Sequence, residues 1–249
     1  MRSPSRRSAG FTLVEVAVVA GILGLLALTM TSAFEGMEQA RVQNRAQADA
    51  EAARQALRHF LLRNKRLPCP DNSANGDSGR EAGGSGSCPG GLSTGWLPYE
   101  SLGLQLPVRS QRLRYGVRRG SDADLVAPTP GAIDSPDLEG SAGLASALSK
   151  AATTTASSSF PYYAAATATS TTCGGSDLVN PAFVLVAPAT DRDGNSGALA
   201  GFDAPNLGFA DGSDTCTAAP SHPASIAYDD VVVAESSTAL LGWLLASTR

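Results

Sequence analysis

The stretch that decides the fold of this chain is Gly10-Phe11-Thr12-Leu13-Val14-Glu15, together with the apolar run that follows it at residues 16–34. The run contains no charged residue, and its length matches that of a membrane-spanning helix. A short basic leader precedes the stretch and contains Arg2, Arg6 and Arg7. We therefore predict a transmembrane helix over residues 11–34, with residues 1–10 as a separate leader.

The unusual residue in this region is Glu15. A carboxylate at the start of an apolar helix is costly to place in a bilayer, so it usually has a partner and a function. A secretory signal peptide is one alternative for the basic leader. However, Glu15 interrupts the start of the apolar region, and no small-x-small cleavage site with a clear break closes that region. A plain membrane anchor with Glu15 at the interface is the second alternative.

The segment from Gly10 to Glu15 resembles the type III signal of type IV pilins and of type II secretion pseudopilins. It has glycine at the cleavage point, an aromatic residue next, and glutamate as the fifth residue of the mature chain. The resemblance implies cleavage after Gly10 by a prepilin peptidase on the cytoplasmic side, followed by N-methylation of Phe11. It also implies a single-pass protein of the bacterial inner membrane whose head lies in the periplasm. The N-terminal helix would then pack against other pilin or pseudopilin subunits in a fibre.

The physical chemistry of the segment agrees with this resemblance. Once Phe11 is the N-terminal residue, its amine is a cation at the membrane edge. Glu15 of the same or a neighbouring subunit is the natural counter-charge, because an unpaired carboxylate is costly in low dielectric. We therefore predict that Glu15 is an assembly residue.

Residues 35–66 continue the span as an amphipathic helix. Small and apolar residues recur there every three or four positions and form one face, which contains Ala46, Ala50, Ala53, Leu57 and Leu61. Pro68 disfavours a helical conformation at the residue before it, so the helix ends there. The alanine-leucine face needs a packing partner, and the rest of the chain is the expected one.

Residues 67–249 are predicted to form a small periplasmic α+β head with an antiparallel sheet. The strand candidates are short and contain β-branched or aromatic residues, at 112–117, 182–186 and 230–234. Residues 237–247 fit either a short apolar helix or an edge strand. An insertion rich in Ser, Thr and Ala occupies about residues 121–180, and we interpret it as a surface excursion or an extra hairpin.

Four cysteines, all beyond the membrane helix, indicate disulfides if the head is in an oxidising periplasm. Four cysteines allow three pairings. We favour Cys69–Cys88 and Cys173–Cys216, because each pair closes a local, loop-rich segment. Zinc is the alternative, but the spacing lacks a Cys-x-x-Cys pair.

Two segments contain the oxygen-bearing side chains that calcium prefers. One is residues 71–77, with Glu81 nearby; the other is formed by Asp191, Asp193 and Asn195. The second segment resembles the calcium loop of major pseudopilins, which also precedes an acidic pair and a strand, here Asp229-Asp230. Calcium is therefore a possible cofactor, with ordinary turns as the alternative.

Other functional classes lack support in the sequence. It contains no nucleophile elbow, no HExxH motif and no phosphate loop, so we do not expect an enzyme. The adjacent Asp229 and Asp230, if in a strand, would point to opposite faces and form no dyad. The net charge of −4 at pH 7 argues against a nucleic-acid partner.

The prediction is therefore a minor pilin or pseudopilin, a structural subunit of a type IV pilus or a type II secretion fibre. The alternative from another class is a membrane-tethered periplasmic adhesion or binding domain that never joins a fibre. Glu15 and cleavage after Gly10 distinguish the two, because a tether requires neither.

Overall fold

The computed structural model describes residues 12–84, 88–120, 123–127, 143–164, 177–190, 201–225 and 227–247, together with Cys173 and Leu199. For residues 28–35 it describes the backbone alone. The contacts between residues divide the chain into two units, Met1–Arg41 and Val42–Arg249.

The first element is one long helix, α1, at Leu13–Asn64. Two hydrogen bonds close its last turn. The backbone N–H of Lys65 donates to the carbonyl oxygen of Leu61 over 2.9 Å, and the side-chain amide of Asn64 donates to the carbonyl oxygen of Phe60 over 2.9 Å. Lys65 has a φ of 54°, a left-handed conformation that ends helices. The helix therefore ends two residues before the predicted boundary at residue 66.

The elements after α1 follow in this order: β1 (Thr94–Trp96), α2 (Tyr99–Leu102), β2 (Arg114–Val117), α3 (Leu144–Thr153), β3 (Tyr162–Ala164), β4 (Leu178–Val179), β5 (Phe183–Ala187), α4 (Asn206–Asp211), β6 (Cys216–Thr217), β7 (Val231–Glu235) and α5 (Ser237–Ser247). Two single turns of 3₁₀ helix lie at Ala74–Gly76 and Arg109–Gln111.

The strands form two sheets. The larger sheet has the order β1-β2-β5-β7, and every neighbouring pair in it is antiparallel. Gly95, Tyr115, Leu185 and Val233 lie opposite one another across it. The smaller sheet has the order β4-β3-β6, with β4 antiparallel and β6 parallel to β3.

Each face of the larger sheet has its own core, because successive side chains of a strand point to opposite faces. On β5, Phe183 and Leu185 belong to a cluster with α1, α3 and α5, while Val184 and Val186 belong to a second cluster. The predicted face of α1 lies in the first cluster, and its five residues are all buried: Ala46, Ala50, Ala53, Leu57 and Leu61. The second cluster covers the other face with residues of the β5–β7 connection, including Phe209 and Tyr228.

The α+β class is confirmed, and so are three predicted strands, which correspond to β2, β5 and β7. Residues 237–247 form a helix, so the edge-strand alternative is wrong there. Within the Ser/Thr/Ala-rich insertion, α3 contributes Leu148 to the first core, and β3 pairs with β4. The described part of the insertion is therefore folded into the head and includes the extra antiparallel pair.

Candidate functional sites

The start of α1 is closed by a reciprocal pair of hydrogen bonds between Thr12 and Glu15. The backbone N–H of Thr12 donates to Glu15 Oε2 over 2.8 Å, and the backbone N–H of Glu15 donates to Thr12 Oγ1 over 3.3 Å. This is the arrangement of a capping box, in which two unsatisfied amides at a helix start are satisfied together. Glu15 is therefore in place to order the first turn of α1, a role that the sequence analysis did not consider.

The first turns of α1 present large apolar side chains to the surroundings. Leu13 is 86% exposed and Leu25 is 67% exposed, and their apolar neighbours are exposed as well. Apolar surface of this extent normally has a partner or an apolar environment. Among the residues whose side chains are described, no helix has an apolar stretch long enough to cross a membrane. The predicted span at 11–34 includes Phe11 and the side chains of residues 28–34, which lie outside that description.

Two further sets of predicted site residues also lie outside the described residues. They are the processing site, Gly10 and Phe11, and the predicted calcium ligands, Asp191, Asp193 and Asn195. Both sets stay predictions.

The outer part of α1 is fastened to the head by a buried ion cluster. Glu235, at the end of β7, is 3% exposed and accepts hydrogen bonds from Arg58 Nη2 on both carboxylate oxygens at 2.9 Å. Arg54 Nη1 donates to the same carboxylate over 3.3 Å. The Arg58 guanidinium also lies 5.3 Å from the ring centroid of Trp243 on α5. The cluster joins α1, β7 and α5.

The acidic residues of the first predicted calcium segment have other partners. Asp71 accepts hydrogen bonds from the backbone N–H groups of Ser73 and Gly79 at 2.8 Å each. Glu81 forms a two-pronged pair with Arg66 at 2.7 Å. Asp77 is paired with Arg112. Residues 71–77 therefore form a turn in which Asp71 is held by hydrogen bonds and Asp77 by an ion pair, and calcium binding there stays a prediction.

The predicted disulfides are both present. Cys69–Cys88 and Cys173–Cys216 have Cα–Cα distances of 5.5 and 5.9 Å. The first disulfide joins the segment after α1 to the loop before β1, and the second joins the Ser/Thr/Ala-rich insertion to β6. Because these bonds use the sulfur ligands that zinc would need, the zinc alternative is wrong.

Three buried aspartates converge in the connection between β5 and β7. Asp203, Asp229 and Asp230 are each at most 6% exposed, and one carboxylate oxygen of each lies within 4.8 Å of the others. Asp229 and Asp230 both precede β7 and are not in the strand, so the expectation that they point to opposite faces, which applied to residues of a strand, does not apply here. Asp203 did not stand out in the sequence, since only the fold brings it to the acidic pair.

Backbone and amide donors hold these carboxylates in place. The N–H of Asp229 donates to Asp203 Oδ2 over 2.9 Å, and the N–H of Asp203 donates to Asp230 Oδ2 over 3.0 Å. Asn206 Nδ2 donates to the same Asp230 oxygen over 2.8 Å, and the N–H of Thr190 donates to Asp229 Oδ1 over 3.0 Å. The aspartate side chains are thus fixed by donors from three separate parts of the connection.

Burial and neighbouring charges shift the pKa values of two groups in and beside the cluster. Burial raises the pKa of Asp230 well above its usual range, and the charges of Asp203 and Asp229 raise that pKa further, while the hydrogen bonds from Asn206 and Asp203 oppose the rise. Burial, together with the charge of Asp230, also raises the pKa of Tyr228. Burial and the neighbouring negative charges therefore both disfavour the ionised form of Asp230.

Comparison with known proteins gives one match, at the N-terminus. A protein-family model described as "Prokaryotic N-terminal methylation motif" matches residues 5–31. No curated protein and no solved structure matches the chain. The matched region contains the predicted cleavage point, Phe11 and the capping pair of Thr12 and Glu15. Residues 5–31 are therefore a prokaryotic N-terminal methylation motif, the signal of type IV pilins and pseudopilins.

Proposed function

We propose that the protein is a minor pilin or pseudopilin, a structural subunit that joins a type IV pilus or a type II secretion fibre. The observation that supports this most is the methylation motif at residues 5–31, which includes the first turns of α1 and their exposed apolar side chains. A subunit of this kind uses its N-terminal helix to enter the fibre and displays its head on the outside. The buried Arg58–Glu235 pair supports the second part, because it fixes the outer helix to the head.

Processing is the first step of the proposed function. A prepilin peptidase hydrolyses the Gly10–Phe11 bond on the cytoplasmic side. The new amine of Phe11 then takes a methyl group from a sulfonium methyl donor, which leaves as the neutral thioether, and the amine loses one proton. A methylated amine remains protonated at neutral pH, so the mature chain begins with a cation. The head is then in the periplasm and α1 is anchored in the inner membrane.

Assembly is the second step, and it assigns Glu15 two successive roles. In the single chain, Glu15 caps the first turn of α1 through Thr12. In the fibre, Glu15 becomes the counter-charge for the Phe11 amine of the same or a neighbouring subunit, in surroundings where a lone carboxylate is costly. The exposed apolar side chains of α1 are then covered by the helices of other subunits.

Two substitutions at Glu15 separate these roles. Glu15→Gln keeps a side chain that can complete the capping box but removes the charge, whereas Glu15→Ala removes both. We expect both variants to enter the membrane, since loss of a charge favours insertion. We expect neither to crosslink normally to neighbouring subunits. Glu38→Gln is the matched control, because Glu38 is an exposed glutamate of the same helix, paired only loosely with Arg41 at 3.8 Å.

The outcomes distinguish the proposal from its alternatives. If Glu15→Gln assembles normally and Glu15→Ala does not, Glu15 acts through the helix cap and the counter-charge role is wrong. If both variants crosslink like the unmodified chain, Glu15 is incidental to assembly. If the unmodified chain itself does not crosslink to other subunits, a membrane-tethered adhesion or binding domain becomes the better account.

A further inference from the structure

We propose that Cys88 is the cysteine through which the head reacts with a disulfide oxidant when the Cys69–Cys88 bond forms, and that Arg119 activates it. This inference concerns the head alone and is independent of the fibre proposal, which rests on the N-terminal motif and on Glu15. Three observations support it. The two sulfurs differ in access, a guanidinium donates to one of them, and other groups hold that guanidinium in place.

The first observation is that the two cysteines of this disulfide have different surroundings. Cys69 is 1% exposed and belongs to the first core, whereas Cys88 is only partly buried and packs against that core. A reagent dissolved in water therefore reaches the sulfur of Cys88 more readily than that of Cys69. Apolar surroundings also disfavour the thiolate, which is the reactive form of cysteine, so Cys69 is the less reactive of the two in the reduced chain.

The second observation is that a guanidinium donates a hydrogen bond to the accessible sulfur. Arg119 Nη1 lies 3.0 Å from Cys88 Sγ, and the Arg119 side chain is 11% exposed. A neighbouring arginine stabilises a thiolate, and the thiolate is the nucleophile in disulfide exchange. Within the part of the chain that the structure describes, no other cysteine sulfur accepts a hydrogen bond from an arginine or lysine.

The third observation is that the position of the Arg119 guanidinium does not depend on the sulfur. Its Nε and Nη2 donate to the Asp124 carboxylate over 3.0–3.2 Å. Its Nη1 also donates to the carbonyl oxygens of Pro89 and Leu92 over 2.7 and 3.0 Å. These contacts place the guanidinium beside Cys88 whether or not the disulfide has formed. Because Asp124 offsets part of the positive charge, the hydrogen bond from Nη1 supplies most of the stabilisation of the thiolate.

These surroundings set the order of the two exchange steps. The Cys88 thiolate first attacks one sulfur of the oxidant's disulfide, whose S–S bond breaks while its other sulfur leaves as a thiolate. Cys69 then loses its proton and attacks the Cys88 sulfur of the mixed disulfide, which forms the Cys69–Cys88 bond and expels the second thiolate of the oxidant. The chain loses two protons and two electrons, and the oxidant's disulfide becomes two thiols.

The same surroundings oppose the reverse reaction. An attacking thiolate reaches Cys88 Sγ, but this attack expels the sulfur of Cys69 into an apolar core, where a thiolate is poorly stabilised. Attack on Cys69 would release the stabilised Cys88 thiolate, but burial blocks that approach. We therefore expect the bond to resist reduction in the folded head.

The test compares two variants of the full-length chain, purified in detergent with the second disulfide intact. Cys69→Ala leaves Cys88 as the free thiol, and Cys88→Ser leaves Cys69. Oxidised glutathione is added at neutral pH, and intact mass follows the formation of the mixed disulfide. Cys88 should react faster than Cys69 by about tenfold or more, and the two rates should converge in concentrated urea. Equal rates in the folded chains, or a faster reaction at Cys69, overturns the proposal.

A second measurement uses the unmodified chain, so it does not depend on the folding of the variants. The chain is reduced, mixed briefly with oxidised glutathione and quenched with acid, and peptide mapping then locates the glutathione. Between Cys69 and Cys88, the adduct should lie on Cys88. An adduct that is shared equally, or that lies mainly on Cys69, contradicts the proposal.

Substitutions at Arg119 test its activating role in the Cys69→Ala background. Arg119→Gln removes the charge and should slow the reaction of Cys88 about tenfold, whereas Arg119→Lys keeps a cation and should restore part of the rate. The matched control is Arg80→Gln, which should leave the rate unchanged, because Arg80 is an exposed arginine that pairs with Glu100 over 2.8 Å. If Arg119→Gln does not slow the reaction, or if Arg80→Gln slows it equally, Arg119 does not activate Cys88.

Discussion

The buried carboxylate of Glu235 should contribute more to the stability of the head than any exposed ion pair. Glu235→Gln removes the charge while keeping the shape of the side chain, and it leaves Arg54 and Arg58 facing a neutral amide. Breaking a buried ion pair costs about 3–5 kcal/mol, because it leaves an uncompensated buried charge.

The exposure of the two arginines sets the size of the expected loss of stability. Their side chains are 28% and 15% exposed, so they regain part of their hydration when the carboxylate is lost. We therefore expect a loss of about 2–4 kcal/mol in the free energy of unfolding. For a domain of this size, that loss lowers the melting temperature by about 5–15 °C.

The matched control is Glu51→Gln. Glu51 is bonded to the same Arg54 over 2.6 Å but is 41% exposed, and exposed pairs contribute less than about 1 kcal/mol. Thermal and urea unfolding of the full-length chain in detergent, followed by the fluorescence of Trp243 and Trp96, measures both variants. If Glu235→Gln costs no more than Glu51→Gln, the buried cluster does not fasten α1 to the head.

Two further predictions concern the region after α1 and the second disulfide. Burial raises the pKa of Glu81, but hydrogen bonds from Arg66 and from the Cys69 amide outweigh it, so the pKa is lowered below 4.5. The stability that Glu81 contributes is therefore present above pH 4.5 and is lost as the pH falls through its lower folded pKa. The urea midpoint of Glu81→Gln should therefore fall less on acidification than the midpoint of the unmodified chain. Cys173→Ser should cost about 2–4 kcal/mol, while non-reducing mass mapping of the unmodified chain should find no free thiol.

The parts of the fold with a strong local pattern could be predicted from the sequence. On α1, buried residues recur every three or four positions from Ala46 onward. The strands β5 and β7 are mainly runs of apolar residues, and β2 contains an aromatic and a β-branched residue, Tyr115 and Val117. By contrast, β1 is only three residues long and one of them is Gly95, and β6 has only two residues. Such short strands exist because neighbouring strands pair with them, which local sequence does not indicate.

The sites follow the same division. The N-terminal motif is continuous in sequence, so Gly10, Phe11 and Glu15 could be identified before the fold was known. The acidic cluster requires Asp203 to meet Asp229 across 26 residues, and the ion cluster requires Arg58 to meet Glu235 across 177. Contacts over these distances depend on the path of the whole connection, so no local pattern predicts them.

The central claim is tested most directly by the N-terminus of the protein extracted from membranes. Intact-mass and N-terminal peptide analysis should show a mature chain that begins at Phe11 and has one methyl group on its amine. A chain that begins at Met1, or at a residue beyond 30, would contradict the proposal that this protein is a pilin or pseudopilin subunit.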